Sequence, residues 1–258
     1  PMTWKVQRRL EERTVHACTK AVFTTEPTRQ MYADRYPDIP ASRWAVIENG
    51  FDEENFRAAE TGLEQAPKGN AGPITLVHSG ILYPKERDPR PFFAAVAQLK
   101  RAGVIDAKRL RIVFRATGSD DLYIPILADL DIGDIVRLEP VVAYRDALRE
   151  MLGAEGLLLF QGEVCNHQIP AKIYEYYRSG RPILALIDHA GISATMLREA
   201  GVKHLADIAN AAEIAATIER FVADLTAGVV SGVDRTFAMA NSRQSRTKEL
   251  ANILEGIA

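Results

Sequence analysis

The chain has 258 residues, of which 47% are hydrophobic, and this is enough for a buried core in one large domain or two modest ones. Its apolar runs are much shorter than the roughly 20 residues that cross a bilayer, so the sequence predicts a soluble, globular protein without a membrane span. A net charge of −2, from 32 Lys and Arg against 34 Asp and Glu, excludes a general electrostatic attraction to nucleic acid.

The first fifty residues predict one β-α-β unit with a helix before it. The helices are expected at 4–18 and 26–36, and the strands at 21–25 and 44–47. A unit of this size cannot bury both faces of a parallel sheet by itself. We therefore expect residues 1–52 to be the last part of an incomplete N-terminal Rossmann-like domain, and the chain to be a fragment of a longer protein.

Residues 53–72 lose the regular spacing of apolar residues and collect Glu, Gly, Pro and Asn. This composition is typical of a linker between domains. The sequence therefore predicts a domain boundary here, with the second domain over residues 73–258.

The second domain alternates short runs of Val, Ile and Leu with longer amphipathic stretches. The predicted strands are 74–78, 110–114, 135–138, 156–160, 182–186 and 203–206. The predicted helices are 90–102, 122–130, 144–152, 170–179, 193–199, 211–225 and a last one at about 235–254. This alternation predicts an α/β fold with a Rossmann-like, doubly wound parallel sheet. Ligands bind such sheets at the carboxyl ends of the strands, near the topological switch point.

The loop after the first strand of this domain, SGILYPKERDP at 79–89, is the first candidate for ligand binding. Gly80 permits close approach of the backbone to a ligand, and Lys85 or Arg87 supplies a cation for a phosphate. The structural alternative is a glycine turn in which Asp88 caps the next helix. For the loop after the second strand, RATGSDD at 115–121, the helix-capping interpretation is the better one.

The loop and helix between the fourth and fifth strands are the most informative segment. The helix is expected to begin at Pro170, which leaves the amide groups of Gln168, Ile169 and Ala171 at its positive end, where a diphosphate binds favourably. Glu175 lies one turn further, where a carboxylate can accept hydrogen bonds from sugar hydroxyls.

The alternative for Glu175 is a surface ion pair with Lys172, three residues before it. For an arbitrary helix this structural interpretation would be preferred. The sequence around the helix favours the functional one.

The segment IPAKIYEYYRSGRPIL at 169–184 resembles the signature of family 4 glycosyltransferases, which are retaining enzymes of the two-domain GT-B fold. The segment VIENGFDEENF at 46–56 is similar to the inter-domain signature of the same family, and AVFTT at 21–25 is similar to a strand of its acceptor domain. The resemblance covers nearly the whole chain. It implies that residues 73–258 form the C-terminal, donor-binding domain.

By this resemblance, Glu175 corresponds to the second of two family glutamates and would hold the ribose of the donor. The first glutamate is replaced by His167, which would hydrogen-bond a hydroxyl of the transferred sugar. The Gly80 loop also departs from the family, because Ile81 stands where many relatives have Arg. The phosphate-binding cation is then Arg87 or Lys85. We assign Arg87, Glu175 and His167 as catalytic.

The substrate-binding residues are Gly80, Lys85, Gln168, Ile169, Pro170 and Lys172.

The implied activity is transfer of a sugar from a nucleoside diphosphate sugar to an unknown glycan, lipid-linked or small-molecule acceptor, with retention at the anomeric carbon. No cofactor or metal is expected, because acidic residues do not cluster as metal ligands; Asp120 and Asp121 stand at a helix start. Two alternatives remain: a sugar-nucleotide epimerase, and a non-catalytic nucleotide-sugar-binding or partner-binding protein of the same fold.

The two cysteines, Cys18 and Cys165, lie far apart and have no partner at metal-ligand spacing, which favours a cytoplasmic setting. Basic residues in the first helix allow peripheral contact with the inner face of a membrane, although a solvated helix face is the more ordinary interpretation. The resemblance also implies that the last helix, at about 235–254, packs back on residues 1–50.

Overall fold

The computed structural model describes residues 2–61 and 72–257. Residues 2–46 form a small unit around a parallel pair of strands, and the core of this unit is Val15, Tyr36, Ile39 and Trp44. Its elements are α1 (Met2–Ala17), β1 (Ala21–Phe23), α2 (Glu26–Arg35) and β2 (Trp44–Val46). The predicted β-α-β unit with a preceding helix is therefore confirmed.

The second unit contains a parallel sheet of six strands among the described residues. Its strands are β3 (Ile74–Ser79), β4 (Leu110–Arg115), β5 (Val136–Glu139), β6 (Gly156–Gln161), β7 (Ile183–Ile187) and β8 (His204–Ala206). The connecting helices are α4 (Arg90–Arg101), α5 (Asp120–Asp129), α6 (Tyr144–Gly153), α7 (Lys172–Ser179), α8 (Ile192–Glu199) and α9 (Ala211–Ala227). Among the residues that the structure describes, no helix is long and apolar enough to cross a membrane.

The strand order is β5-β4-β3-β6-β7-β8, the order of a Rossmann-type doubly wound sheet. Alternate side chains of each strand pack on opposite faces, because successive residues of a strand point in opposite directions. On β6, Leu158 and Phe160 pack with α4 and α9, whereas Leu157 and Leu159 pack with α6 and α7. Both faces are covered, so the predicted fold class is confirmed.

Residues 53–60 differ from the irregular linker that the sequence predicted. They form α3 (Glu53–Glu60), capped by Asp52, whose carboxylate accepts hydrogen bonds from the amides of Glu54 and Asn55. Phe56 and Ala59 are buried. The helix is short and buries one narrow stripe, so its apolar spacing is easily missed. Residues 62–71, the rest of the predicted linker, lie outside the described residues.

The end of the chain also differs from the prediction, because the last helix is divided into α10 (Arg235–Ala240) and α11 (Arg243–Glu255). Ser242 caps α11, and the Arg243 amide donates to Phe51 O at 2.8 Å. A Cβ on Gly50 would lie 2.8 Å from Asn241 O, so the backbones approach as closely as they can. The Arg246 guanidinium contacts Glu48 at 3.0 Å. The break therefore lies where the chain returns to residues 48–52.

A buried ion pair fixes α3 on the large unit. Arg178 of α7 is buried and contacts Glu53 at 2.5 Å and Glu60 at 2.8 Å. Its guanidinium also lies 5.0 Å from the centre of the Phe56 ring. The hydrogen bond from Arg178 lowers the pKa of Glu53, in spite of its burial.

We expect Arg178→Met to lower the free energy of unfolding by about 2–3 kcal/mol at pH 7, because Glu60 loses its partner and Glu53 keeps only the exposed Arg57. The measurement is urea denaturation followed by circular dichroism. Since the folded pKa of Glu53 is lowered, the stabilisation is present above the unfolded value and is lost as the pH falls through about 5 to 3. The variant should lose less stability over that range than the unaltered chain.

The matched control is Arg57→Met, which removes the more exposed partner of the same glutamate, 3.3 Å away. We expect it to change stability by less than about 0.5 kcal/mol. Equal effects of the two substitutions would contradict a structural role specific to Arg178.

Candidate functional site

The candidate site lies at the carboxyl ends of β3 and β6, the neighbouring strands where the strand order reverses. The loops that follow these strands are in contact, because the Gly162 amide donates to Glu86 O at 2.7 Å. A Cβ on Gly162 would lie 2.9 Å from the same oxygen. The two loops that the sequence singled out therefore form one surface at the topological switch point.

Gly80 adopts a backbone conformation that other residues rarely reach, with φ of 119°. Its amide donates to Arg115 O at 2.8 Å, which fixes the start of the loop on β4. A Cβ at this position would lie 3.1 Å from Lys172 Nζ. The glycine therefore leaves room for the end of the Lys172 side chain.

Lys172 reaches from α7 under the Gly80 loop to a histidine on β3. Its Nζ lies 3.2 Å from His78 Nε2, and His78 Nδ1 lies 2.9 Å from Leu158 O. A carbonyl accepts only, so Nδ1 carries the proton and Nε2 offers a lone pair to Lys172. Burial of the amine, with a smaller effect of the Arg87 charge, lowers the pKa of Lys172 to about 7.

Arg87 brings a second cation near enough to Lys172 for its charge to lower the pKa of the amine. Its guanidinium lies 5.6 Å from the centre of the Tyr83 ring, and Nη1 donates to Ile81 O at 3.4 Å. Its Nε is buried and has no hydrogen-bond partner among the described residues. A buried donor without a partner is costly, and two neighbouring cations repel each other. An anionic ligand would relieve both effects.

The start of α7 differs by two residues from the prediction. The helix begins at Lys172 and not at Pro170, whose carbonyl accepts from the Ile173 amide at 3.0 Å. The Gln168 amide is not free as expected, because it donates to Cys165 O at 2.9 Å.

Three other amide groups have no recorded acceptor within the described part of the chain, those of Ile169, Ala171 and Lys172. Of the three predicted amides, those of Ile169 and Ala171 are thus without an acceptor in the described residues, and Lys172 supplies a third in place of Gln168.

Glu175 does not form the surface pair with Lys172 that was the structural alternative. Its Oε1 accepts a hydrogen bond from Tyr144 Oη at 2.6 Å. Tyr144 begins α6, just after the carboxyl end of β5. Burial and the Glu175 carboxylate raise the pKa of this phenol, so it remains a donor at neutral pH. The carboxylate is thus held toward the carboxyl end of the sheet and keeps a second oxygen for a ligand.

His167 lies where the large unit meets the small one. Its carbonyl oxygen accepts from Thr25 Oγ1 at 2.6 Å and from Thr28 Oγ1 at 3.0 Å, both at the start of α2. Its ring contacts the side-chain amide of Gln168 at 3.2 Å and is partly exposed. A ligand on the sheet that extends toward the small unit would pass this imidazole.

Lys85 lies apart from Arg87, although the two are close in sequence. It lines a cavity of about 350 Å³ together with loops that follow β6, β7 and β8. The other polar lining residues are acidic: Glu86, Asp88, Glu163, Asp188 and Asp207. Of the two candidate cations, Arg87 is the one whose charge affects the pKa of Lys172 and of His78.

Sequence reasoning missed three residues that build the site: His78, Tyr144 and Gln161. Gln161 is buried at the end of β6, and its Nε2 donates to the carbonyls of Cys165 and Gln168 at 2.8 Å each. A signal was available for two of them. His78 and Gln161 are polar residues at the carboxyl ends of otherwise apolar strands, where a buried polar group must find partners.

We expect Gly80→Ala to lower the free energy of unfolding by about 1–3 kcal/mol, because the backbone conformation becomes strained and the new Cβ presses on Lys172. The control is Gly103→Ala, which also has a positive φ, of 70°, but meets no atom within 4 Å. We expect that control to cost about 1 kcal/mol.

Denaturation of the double variant Gly80→Ala with Lys172→Ala separates the two causes. Removal of the lysine should recover part of the cost of the alanine, since the sites are in contact. Purely additive effects would contradict the close approach of Lys172 to Gly80.

No protein-family model matches the chain, and no curated protein matches it. Solved structures are similar to it at low identity. Sucrose-phosphate synthase from Thermosynechococcus elongatus has a TM-score of 0.70 at 13% identity, with 98% of this chain and 62% of that one covered. The structure of Anabaena HepE in complex with UDP has a TM-score of 0.67 at 17% identity, with 93% and 64% covered.

A UDP-forming trehalose-phosphate synthase from Burkholderia vietnamiensis has a TM-score of 0.65 at 15% identity, with 95% of this chain and 62% of that one covered. At these identities the likeness shows the fold alone. The chain spans between 62% and 64% of the length of these three structures. It has the GT-B fold of glycosyltransferases over that part, as the sequence predicted.

Proposed function

We propose that the chain carries the donor site of a glycosyltransferase, which transfers a sugar from a nucleoside diphosphate sugar to an acceptor. One observation carries this proposal: Lys172 lies beneath Gly80 at the switch point of the sheet, close enough to Arg87 for that charge to lower its pKa, and the free amides are at the start of its own helix, α7. Two cations and several amide groups without acceptors can all donate hydrogen bonds to the oxygens of a diphosphate.

The diphosphate is also the group on which negative charge accumulates when the bond to the sugar breaks. Cations and helix-end amides already in position stabilise that charge without rearranging. We assign the role of phosphate-binding cation to Arg87, whose buried Nε has no partner in the described part of the chain, and not to Lys85, which lines the separate acidic cavity.

We assign the ribose to Glu175, because a carboxylate accepts hydrogen bonds from both hydroxyls of a ribose. Tyr144 holds this carboxylate and is half exposed, and the neighbouring Val141 is 79% exposed. Apolar side chains that face solvent beside a ribose site suit the flat surface of a nucleobase. The UDP in the HepE complex supports a nucleotide ligand for this fold.

We assign the transferred sugar to the side of His167, where the large unit meets the small one. The imidazole is a hydrogen-bond donor or acceptor for a sugar hydroxyl in place of the carboxylate found in family 4 enzymes. Retention at the anomeric carbon remains the stereochemistry that the resemblance to that family implies. The acceptor would enter between the two units.

We expect the unaltered chain to bind UDP or GDP, and Arg87→Ala and Glu175→Ala to weaken that binding by about 10- to 100-fold each, because each variant removes a charged hydrogen-bond partner. The measurement is isothermal titration calorimetry. Arg87→Ala should lose affinity for nucleoside diphosphates whether the sugar is ribose or deoxyribose. Glu175→Ala should lose affinity only where the sugar is ribose, because the carboxylate is assigned to the ribose hydroxyls.

Two exposed residues serve as matched controls, Arg109 before β4 and Glu219 on α9. Arg109→Ala and Glu219→Ala cause the same changes of charge at positions away from the switch point. Both control variants should bind UDP or GDP as tightly as the unaltered chain. Unchanged affinity in both Arg87→Ala and Glu175→Ala would exclude the assigned site.

We also propose that binding of the donor requires no metal ion, because the diphosphate would be neutralised by side chains and amides. Treatment with EDTA should leave the dissociation constant for UDP or GDP unchanged within about twofold, as measured by the same titration. Restoration of lost affinity by Mg²⁺ or Mn²⁺ would contradict this part of the proposal.

A further inference from the structure

The contact between Lys172 and His78 is unusual, because both partners are basic. Lys172 Nζ lies 3.2 Å from His78 Nε2, and the ring is buried between Phe114 and Phe160, whose centres lie 5.9 Å and 5.2 Å away. A charged imidazole would repel the lysine and leave both groups without compensation. The ring is therefore neutral, and burial and the charge of Lys172 hold the pKa of His78 well below its usual value.

The backbone selects which ring nitrogen faces the lysine. His78 Nδ1 donates to Leu158 O at 2.9 Å, so the lone pair of Nε2 points to Lys172 Nζ. Tyr176 Oη donates to the same carbonyl at 2.9 Å. His78 Nε2 can therefore accept a hydrogen bond from Lys172 whether the amine is neutral or charged, because both forms have N–H groups to donate.

The titratable and charged groups around Lys172 come from three elements. His78 belongs to β3 and Arg87 to the loop that follows it, while Glu175 belongs to α7 itself. The neutral phenol of Tyr176 is also buried nearby. Glu175 favours the charged form of the amine, but Arg87 and burial oppose it more strongly. A bound diphosphate would reverse this balance.

We propose that His78 is a positioning residue, which holds the Lys172 amine toward the diphosphate site so that the site takes up one proton when the diphosphate binds. The proposal rests on the proposed function. The proton comes from solvent and is added to the neutral amine; no other bond is made or broken. The resulting ammonium donates one hydrogen bond to His78 and has two N–H groups left for phosphate oxygens.

The pH dependence follows from the lowered pKa of Lys172, at about 7. At pH 8 most of the free protein then has a neutral Lys172, whereas at pH 6 most of it has the ammonium form. Binding to a diphosphate restores the charged form, so proton uptake should exceed about 0.5 at pH 8 and be smaller at pH 6. Above pH 8, affinity should fall about tenfold for each unit of pH.

The experiment is isothermal titration calorimetry of the full chain with UDP, GDP, ADP and CDP at pH 8, in buffers that differ in ionisation enthalpy. The slope of the observed enthalpy against the buffer enthalpy gives the number of protons taken up. At this pH the terminal phosphate of the nucleotide is already ionised, so it contributes little. Lys172→Met should bind more weakly and take up no proton, whereas the exposed control Lys108→Met should behave as the unaltered chain.

Two substitutions test His78 itself. His78→Leu removes the acceptor of Lys172 Nζ, whereas the Leu158 carbonyl keeps its bond from Tyr176. We expect binding to weaken at least tenfold. His78→Gln supplies a new acceptor for the lysine and should recover affinity to within about threefold of the unaltered chain. Circular dichroism and thermal melting confirm that each variant is folded.

The outcomes separate this inference from the proposed function. Binding of a nucleoside diphosphate with proton uptake below about 0.2 at pH 8 overturns the inference and leaves the donor site intact. A folded His78→Leu variant that binds as tightly as the unaltered chain also overturns it, as does a folded His78→Gln variant no better than His78→Leu. Failure of all four nucleotides to bind overturns the proposed function, and the inference with it.

Discussion

The adjacency of β3 and β6 is the constraint on which the rest of the structure depends. The chain leaves β3 toward one side of the sheet and leaves β6 toward the other, so no connection covers the gap between their carboxyl ends. The two loops that begin there contact each other through Gly162 and Glu86. As a result, the charge of Arg87, in the first loop, lowers the pKa of Lys172 on α7, although 85 positions separate the two residues in sequence.

Much of this arrangement was predictable. Apolar runs define the buried strands, and the switch-point rule indicates which loops matter before any coordinates are known. The unpredicted parts depend on contacts between distant residues. The buried stripe of α3 has meaning only once Arg178 lies against it, and the break before Ser242 is caused by the close approach of Gly50. Neither contact can be predicted from the local sequence, because each joins residues that are far apart in the chain.

The candidate site likewise has residues that the sequence predicted and residues that only long-range packing brings into it. Gly80, Glu175 and the pair of alternatives Arg87 and Lys85 were predicted from residue type, from position within loops and helices, and from the family resemblance. His78 was not predicted, because a histidine within an apolar strand is ordinarily interpreted as one more buried residue. Its partner, Lys172, was predicted to meet substrate or Glu175, and only the packing of α7 on β3 brings it to the imidazole. A buried polar residue at the end of a strand is therefore a useful signal in this fold class.

The bonds from Thr25 and Thr28 to the carbonyl of His167 have a mechanical consequence. Both hydroxyls share one acceptor oxygen, and both belong to the first turn of α2. The end of this helix and the loop before α7 are thus tied together at a single point. A displacement of α2 relative to the large sheet would have to move the His167 carbonyl with it or break both hydrogen bonds. The position of the His167 backbone, and with it the point from which the imidazole extends, is therefore coupled to the position of α2.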